Sequence, residues 1–201
     1  MNPPPAESAP RRRGRPADVD PERVALLALR HFAENGYDAV TMDDIAALAG
    51  VGRRTLFRYF PSKPDLVWGG IEPVVERMHA VLDAAPESEP VRDVLARAMT
   101  EALDLDADAV EATRLRLRLM GSDAALIAFG VSRLALNRDI LAEFLARRLA
   151  IPADGLRAHV LADALSSANF SSLLWWARTD DGDPAAVAVA AIDELLRGLA
   201  P

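Results

Sequence analysis

Cationic and hydroxyl side chains are concentrated in one short segment between Gly52 and Pro61. Its sequence, RRTLFRYF, contains arginine, threonine and tyrosine side chains at close spacing. Arginine can donate paired hydrogen bonds to a guanine edge or to a phosphate, and hydroxyl groups can donate to phosphate oxygens. This set of side chains therefore suits contact with nucleic acid.

Residues for other kinds of chemistry are sparse. The chain has no cysteine, and its three histidines, His31, His79 and His159, are scattered. No recognisable ligand spacing surrounds them, and no Gly-rich phosphate loop, HExxH motif or nucleophile elbow occurs. We therefore expect no catalytic site, no metal and no cofactor. An all-helical enzyme with an incidental DNA-binding motif is the competing class, and it would need a catalytic constellation.

The net charge of −7 is unevenly distributed along the chain. Residues 1–66 hold ten basic and nine acidic side chains, whereas the remaining residues hold thirteen basic and twenty-one acidic. Phosphate binding depends on local potential rather than on overall charge. The N-terminal third can therefore bind DNA although the whole chain is acidic. No long apolar run indicates a membrane span or signal peptide, so we expect a cytoplasmic protein.

The N-terminal third of the sequence predicts an arm followed by three helices. Residues 1–18 are rich in proline and arginine and contain few apolar side chains, which predicts a disordered basic arm. Asp20 and Pro21 start an amphipathic helix that ends at Gly36. Thr41 caps a second helix over about 42–49, and a third helix follows Gly50 and ends before Pro61.

The rest of the chain is also predicted to be helical. A long fourth helix is expected from about residue 63 to the break at 86–90. Further helices are expected at about 90–104, 108–120, 123–150, 154–178 and 184–199, separated by Gly and Pro breaks. The alternating stretch from Arg114 to Leu119 is assigned to a helix because its flanks lack turn signals. The predicted fold class is all-α.

The segment from Thr41 to Val67, TMDDIAALAGVGRRTLFRYFPSKPDLV, resembles the helix-turn-helix signature of the TetR family of bacterial regulators. With the first helix included, the resemblance covers roughly residues 20–67. It implies an N-terminal three-helix DNA-binding unit, with domains at 19–66 for DNA binding and 67–201 for ligand binding and dimerisation. The implied function is a sequence-specific, ligand-responsive transcriptional regulator, expected to be a repressor, that binds double-stranded operator DNA.

The resemblance also implies contacts for individual residues. It assigns base-edge or groove contacts to Arg53, Arg54, Thr55 and Arg58, and phosphate contacts to Thr41, Tyr59 and Lys63. Two departures from the family pattern remove hydroxyl groups: Gly52 stands where Ser or Thr is frequent, and Phe57 stands where Tyr is usual. Tyr59 could instead pack in the small core, and the arginine arm could serve solubility or enter a minor groove.

The C-terminal helices exceed what the DNA-binding unit needs. In this family they form a ligand pocket and an isologous dimer interface, which would here use about residues 154–199. Candidate pocket residues are large or polar side chains on predicted inner helices, although ordinary core packing is an open alternative for each. These candidates are Trp68, Met78, Met120, Phe129, Asn169, Phe170 and Trp175.

The apolar character of these candidates favours a hydrophobic effector. Arg114, Arg116 and Arg118 could bind an anionic head group or could form a solvated helix face. The segment GRRTLFRYFPSKPDLVWGG with the Arg114–Met120 stretch is similar to an actinobacterial branch that includes mycofactocin-system regulators, which implies a long-chain acyl-CoA or related lipid effector. An architectural DNA-binding protein without an effector is a further alternative, and a filled C-terminal core would distinguish it.

Overall fold

A computed structural model describes residues 20–179 and 182–198, and within these ranges all regular structure is helical. The predicted all-α fold is confirmed. The arm predicted at residues 1–18 lies outside the described residues. The helices are α1 (Pro21–Asn35), α2 (Met42–Leu48), α3 (Arg53–Tyr59), α4 (Lys63–Trp68), α5 (Glu72–Ala84), α6 (Val91–Ala102), α7 (Ala107–Ser122), α8 (Ala124–Phe129), α9 (Val131–Leu149), α10 (Leu156–Thr179) and α11 (Pro184–Gly198).

Two predicted helices are wrong in length because glycines divide them. The fourth predicted helix is two helices, α4 and α5, separated at Gly69 and Gly70. Gly70 has φ +81°, in the left-handed region that side chains other than glycine rarely adopt, so the chain changes direction there. The segment predicted as one helix at 123–150 is divided into α8 and α9 at Gly130.

Gly130 is required by close packing. A Cβ at this position would overlap the indole ring of Trp68, which lies against the backbone where α8 meets α9. The Trp68 indole Nε1 also donates a hydrogen bond of 2.7 Å to the carbonyl of Leu126. The end of α4 is therefore attached to the C-terminal helices by both packing and a hydrogen bond.

The apolar side chains form two main clusters. One joins the buried faces of α1 to α4, and it extends through Trp68 to Met120 of α7 and Leu126 of α8. The other joins α5, α6, α9, α10 and α11. Because the first cluster crosses from α4 into α7 and α8, the three-helix unit shares its core with the helices that follow it.

None of the helices in the two described ranges has the length and apolar character needed to cross a bilayer.

Candidate DNA interface and ligand cavity

The N-terminus of α2 is fixed by a reciprocal cap. The Thr41 hydroxyl accepts a hydrogen bond from the Asp44 backbone N–H, and the Asp44 carboxylate accepts bonds from the Thr41 N–H at 2.8 Å and hydroxyl at 2.7 Å. The hydrogen bond from the Thr41 hydroxyl lowers the pKa of Asp44 below its ordinary value, and the bond from the Thr41 N–H lowers it further. Thr41 therefore has a structural function in addition to the predicted phosphate contact.

The turn after α2 places α3 with one buried side and one exposed side. Gly50 has φ +66°, which reverses the chain tightly before α3 begins at Arg53. Leu56 and Phe60 are buried in the core of the three-helix unit. The opposite face of α3 carries Arg53, Arg54 and Arg58, all exposed to solvent.

The exposed arginines of α3 differ in their partners. Arg53 forms an ion pair of 2.8 Å with Asp43, and its guanidinium lies 5.3 Å from the centre of the Phe57 ring. Arg58 lies over the ring of Tyr59 and donates a 3.1 Å hydrogen bond to its hydroxyl. Within 20–179 and 182–198, Arg54 has no hydrogen-bond or ion-pair partner. Arg54 is thus the arginine with no internal partner to leave before it can contact DNA.

The seven predicted DNA-contact residues lie on three successive helices and their caps. Thr41 stands at the cap of α2, and Arg53, Arg54, Thr55, Arg58 and Tyr59 lie on α3. Tyr59 is 37% exposed, so it does not pack in the small core. Lys63 begins α4, and its ammonium lies 4.2 Å from the centre of the Tyr37 ring.

The environment of Lys63 was not predicted from the sequence. Partial burial lowers the pKa of the Lys63 ammonium, and attraction to Asp38 opposes that shift. Burial also raises the pKa of Tyr37, to about 12. Tyr37 is therefore neutral at neutral pH. Tyr37 and Lys63 are far apart in the sequence, so no helical or strand periodicity relates them. Their contact could therefore not be predicted from residue spacing.

A cavity of about 340 Å³ lies among α4, α5, α6, α7, α9 and α10. Its size falls within the range of ligand pockets in proteins. Five of the seven predicted pocket residues line it, namely Trp68, Met78, Met120, Asn169 and Phe170. Phe129 and Trp175 do not line it, and their side chains are 41% and 50% exposed. Each lies on an outward face of its helix, which hydrophobicity alone could not reveal.

Arg116 is the one charged residue that is buried in the described part of the chain. Its Nε donates a hydrogen bond of 2.6 Å to the carbonyl of Val67, and its Nη2 donates one of 2.5 Å to the carbonyl of Gly69. Burial lowers the pKa of Arg116 to about 10, so it remains a cation at neutral pH. Arg116 lines the cavity as well, and it thereby connects the cavity wall with the C-terminal end of α4.

The neighbouring arginines of α7 also donate to the backbone. Arg118 donates a hydrogen bond of 2.6 Å to the carbonyl of Ala177. Arg114 donates one of 3.4 Å to the carbonyl of Trp176, and its guanidinium lies 4.1 Å from the centre of the Trp176 ring. The solvated-face interpretation of the three arginines is therefore wrong for Arg116, which is buried. Alternation of Arg and Leu along α7 gives no indication of which arginine faces inward.

A second connection joins the three-helix unit to α7. Arg30 of α1 donates two hydrogen bonds, of 2.9 and 2.6 Å, to the carboxylate of Glu111. Both side chains are partly exposed, so the pair contributes orientation more than stability. Together with Trp68, Arg116 and the 3.2 Å pair of Arg133 with Asp65, it attaches the N-terminal helices to the C-terminal helices.

Replacing Thr41 by Ala should lower the free energy of unfolding by about 1 kcal/mol, because α2 loses its N-cap. Thr41→Ser retains the hydroxyl and should restore most of that loss. Since the pKa of Asp44 is lowered, the stabilisation should be present above pH 3.8 and lost as the pH falls through the folded-state pKa. Urea unfolding at neutral and acidic pH measures both effects. Equal stability of the wild type and the Ala variant at neutral pH would contradict the capping role.

Comparison with known proteins agrees with this architecture. The family described as "Bacterial regulatory proteins, tetR family" matches residues 27–67, and the family described as "MftR C-terminal domain" matches residues 89–200. The chain is similar to the mycofactocin biosynthesis transcriptional regulator MftR of Mycobacterium tuberculosis, with 29% identity over 186 residues that cover 92% of this chain and 94% of the relative.

One further protein resembles part of the chain in sequence, and another resembles its fold. The transcriptional repressor LfrR of Mycolicibacterium smegmatis is 37% identical over 106 residues, which is 52% of each chain. The structure of FadR from Bacillus subtilis in complex with stearoyl-CoA has a TM-score of 0.62 and 22% identity, and the match covers 89% of this chain and 98% of that one. Since the C-terminal family match alone spans more than half of the sequence, the chain belongs to the TetR family of bacterial transcriptional regulators, in the branch with an MftR-type C-terminal domain.

Proposed function

We propose that the protein is a repressor that binds operator DNA as a homodimer and is released by an apolar effector. The observation that carries this proposal is the position of α4, which follows an exposed basic helix, α3, and contributes Trp68 to the wall of the cavity. We assign DNA binding to residues 19–66, and ligand binding and dimerisation to 67–201. Repression is supported by the likeness to LfrR, which is named a repressor. Action on DNA implies a cytoplasmic location.

The exposed face of α3 suits the major groove. A short helix fits a groove about 12 Å wide, and arginines at its N-terminal end can reach base edges. In the proposal Arg53 and Arg54 read bases with Thr55 and Arg58 beside them. The Arg53–Asp43 pair is largely exposed, so its exchange for a base contact costs little.

Contacts to the DNA backbone are proposed for the residues that flank α3. Thr41 lies at the N-terminus of α2, where the helix dipole favours a phosphate. Tyr59 presents its hydroxyl at the end of α3, and Lys63 supplies a cation at the start of α4. These groups would fix the register of α3 in the groove without reading sequence.

The proposed assignment separates specificity from general affinity. Arg54→Ala should cost about 1–3 kcal/mol of operator binding and relax preference at one base pair. Lys63→Ala should weaken operator and random DNA alike, and should reduce the salt slope by about one unit per half-site. Fluorescence anisotropy with an operator selected from random duplexes measures both.

Arg147→Ala is the matched control, because Arg147 is exposed on α9, outside the proposed DNA-binding and dimer surfaces, and pairs with Asp83. This variant should bind operator as the wild type does. Thermal melting of each variant separates a folding defect from a lost DNA contact. Loss of equal size on operator and on random DNA for Arg54→Ala would refute base reading by Arg54.

The outer face of α10 supports dimerisation. Leu156, Val160 and Trp175 are 81%, 54% and 50% exposed, and they lie along one side of the helix with the small side chains of Ala164 and Ala168 between them. Large exposed apolar side chains along one side of a helix favour a protein–protein contact. We therefore propose a two-fold interface formed by about residues 154–199.

Ala164→Glu should convert the dimer to a monomer, because a two-fold axis would bury two carboxylates close together. Ala125→Glu makes the same change at an exposed position of α8 and should leave the dimer intact. Sedimentation velocity at micromolar concentration distinguishes these states. A monomeric wild type would contradict the proposal, and so would a dimeric Ala164→Glu variant.

The cavity supports an apolar effector and argues against a purely architectural DNA-binding protein. Its wall is mainly aliphatic and aromatic, with residues such as Val74, Met78, Leu117 and Phe170. FadR of Bacillus subtilis, whose fold is similar, was crystallised with stearoyl-CoA. We propose that the acyl chain of an acyl-CoA or a comparable lipid occupies the cavity, with Arg116 as a cation in its wall. The same family assignment argues against an enzyme.

The effector would act on DNA binding through α4. Trp68 and Arg116 line the cavity and also hold the last turn of α4, so a ligand that displaces either one changes the support of that helix. A dimer must present its two α3 helices about 34–36 Å apart to enter successive major grooves. A small rotation at α4 would move both α3 helices out of that spacing.

Stearoyl-CoA or lauroyl-CoA should weaken operator binding about 5–150-fold, and operator should weaken binding of the acyl-CoA by the same factor. Arg116→Met should reduce this coupling, because the Val67 and Gly69 carbonyls lose their donor. Arg118→Met is the matched control on α7, and it should retain the coupling. Titrations of acyl-CoA with and without operator at fixed salt measure both factors. Equal acyl-CoA affinity in the two conditions would refute the coupling.

A further inference from the structure

Two buried polar atoms in the cavity wall have no hydrogen-bond partner. They are the hydroxyl oxygen of Ser166 and the Oδ1 atom of Asn169, one turn apart on α10. In the described part of the chain, only one other buried side-chain nitrogen or oxygen atom lacks a hydrogen-bond partner, the Nε of Arg148. The other nitrogens of Arg148 donate to the carbonyls of Pro86 and Glu89, whereas Ser166 and Asn169 have no side-chain hydrogen bond.

These two side chains line two neighbouring cavities. Ser166, Asn169 and Asn137 line both the main cavity and a smaller adjoining one of about 30 Å³, whose remaining wall is apolar. The Oδ1 of Asn137 is already 2.9 Å from Nε2 of His79, with which it pairs. Among the polar side chains shared by the two cavity walls, the unpaired atoms are therefore those of Ser166 and Asn169.

Unpaired polar atoms in this position are unfavourable in the empty protein. Burying a hydroxyl or an amide without a partner costs free energy, and native proteins pair nearly all such groups. A serine within a helix can bond to the carbonyl four residues earlier, but Ser166 makes no such bond. An apolar side chain at either position would avoid the cost, so the two polar side chains are suited to a partner that enters the cavity.

The two atoms define the chemistry of that partner. Asn169 Oδ1 can only accept a hydrogen bond, and the Ser166 hydroxyl can donate one. One hydroxyl group on a ligand satisfies both, because it donates to Oδ1 and accepts from Ser166. An ether, ketone or thioester oxygen only accepts, and an alkyl chain does neither. We propose that the effector carries a hydroxyl group on its apolar part, bound between Ser166 and Asn169; this rests on the proposed effector function of the cavity.

Two isomeric compounds test the proposal directly. 1-Octanol and heptyl methyl ether have the same composition and similar length, but only the alcohol can donate a hydrogen bond. The alcohol should bind about tenfold more tightly in calorimetric titration, since the ether leaves Asn169 Oδ1 unpaired. Asn169→Leu and Ser166→Ala should each reduce this preference. Ser132→Ala, at an exposed position of α9 outside the cavity wall, should retain it.

A second measurement needs no ligand. If both atoms are unpaired in the empty protein, Asn169→Leu and Ser166→Ala should raise Tm, by about 2–4 °C for each kcal/mol recovered. Bound water that satisfies both atoms would instead leave Tm unchanged or lower it in both variants, and this result would overturn the proposal.

Equal binding of the two isomers by the wild type, or binding of neither, would also overturn it. Operator binding of the same wild-type sample tests the proposed regulator function separately. A protein that binds operator but does not prefer the alcohol refutes the hydroxyl site alone. A protein that binds no operator refutes the proposed function whatever its preference between the isomers.

Discussion

The attachment of the last turn of α4 is the contact on which the rest of the structure depends. A helix of six residues has few internal hydrogen bonds, so its orientation is set by what holds its ends. The Ser62–Asp65 cap fixes its start, while Arg116 donates to two of the carbonyls at its end and Trp68 is buried beside Gly130. The three-helix unit and the cavity therefore share one rigid element.

The use of a buried arginine at this point has a physical consequence. A guanidinium that loses its hydration must recover hydrogen bonds, and carbonyls at a helix C-terminus are favourable partners because the helix dipole is negative there. Arg116 donates to two such carbonyls and has no carboxylate hydrogen-bonded to it among the described residues. Its hydrogen bonds are therefore made to backbone dipoles, and Glu72 adds a Coulombic attraction without a hydrogen bond. An anionic group that entered the cavity would compete directly with α4 for the same guanidinium.

The sequence predicted the N-terminal third well because its signals are local. Caps at Asp20 and Thr41 and the turn at Gly50 depend on neighbouring residues only, and the exposed arginines follow from helical periodicity. The end of α4 was missed because a Gly pair is a weaker break than a proline, and its effect depends on the Trp68 and Arg116 contacts. Phe129 and Trp175 were assigned to the pocket by hydrophobicity, which does not specify the side of a helix. Long-range contacts decide that side, and spacing does not encode them.

The polar groups around the cavity explain how a regulator could respond to a ligand of moderate affinity. A fully apolar, filled core would favour one state by many kcal/mol, and no ligand of ordinary affinity could reverse it. The open volume lacks dispersion contacts, and the unpaired atoms of Ser166 and Asn169 lack hydrogen bonds. In the proposed mechanism, the ligand-free arrangement of the helices is therefore close in free energy to their alternative arrangements. A ligand that fills the space and pairs these atoms then favours one arrangement of the helices around α4. In the proposed mechanism, the groups that make the empty cavity unfavourable are the same groups that allow its occupation to be sensed at α3.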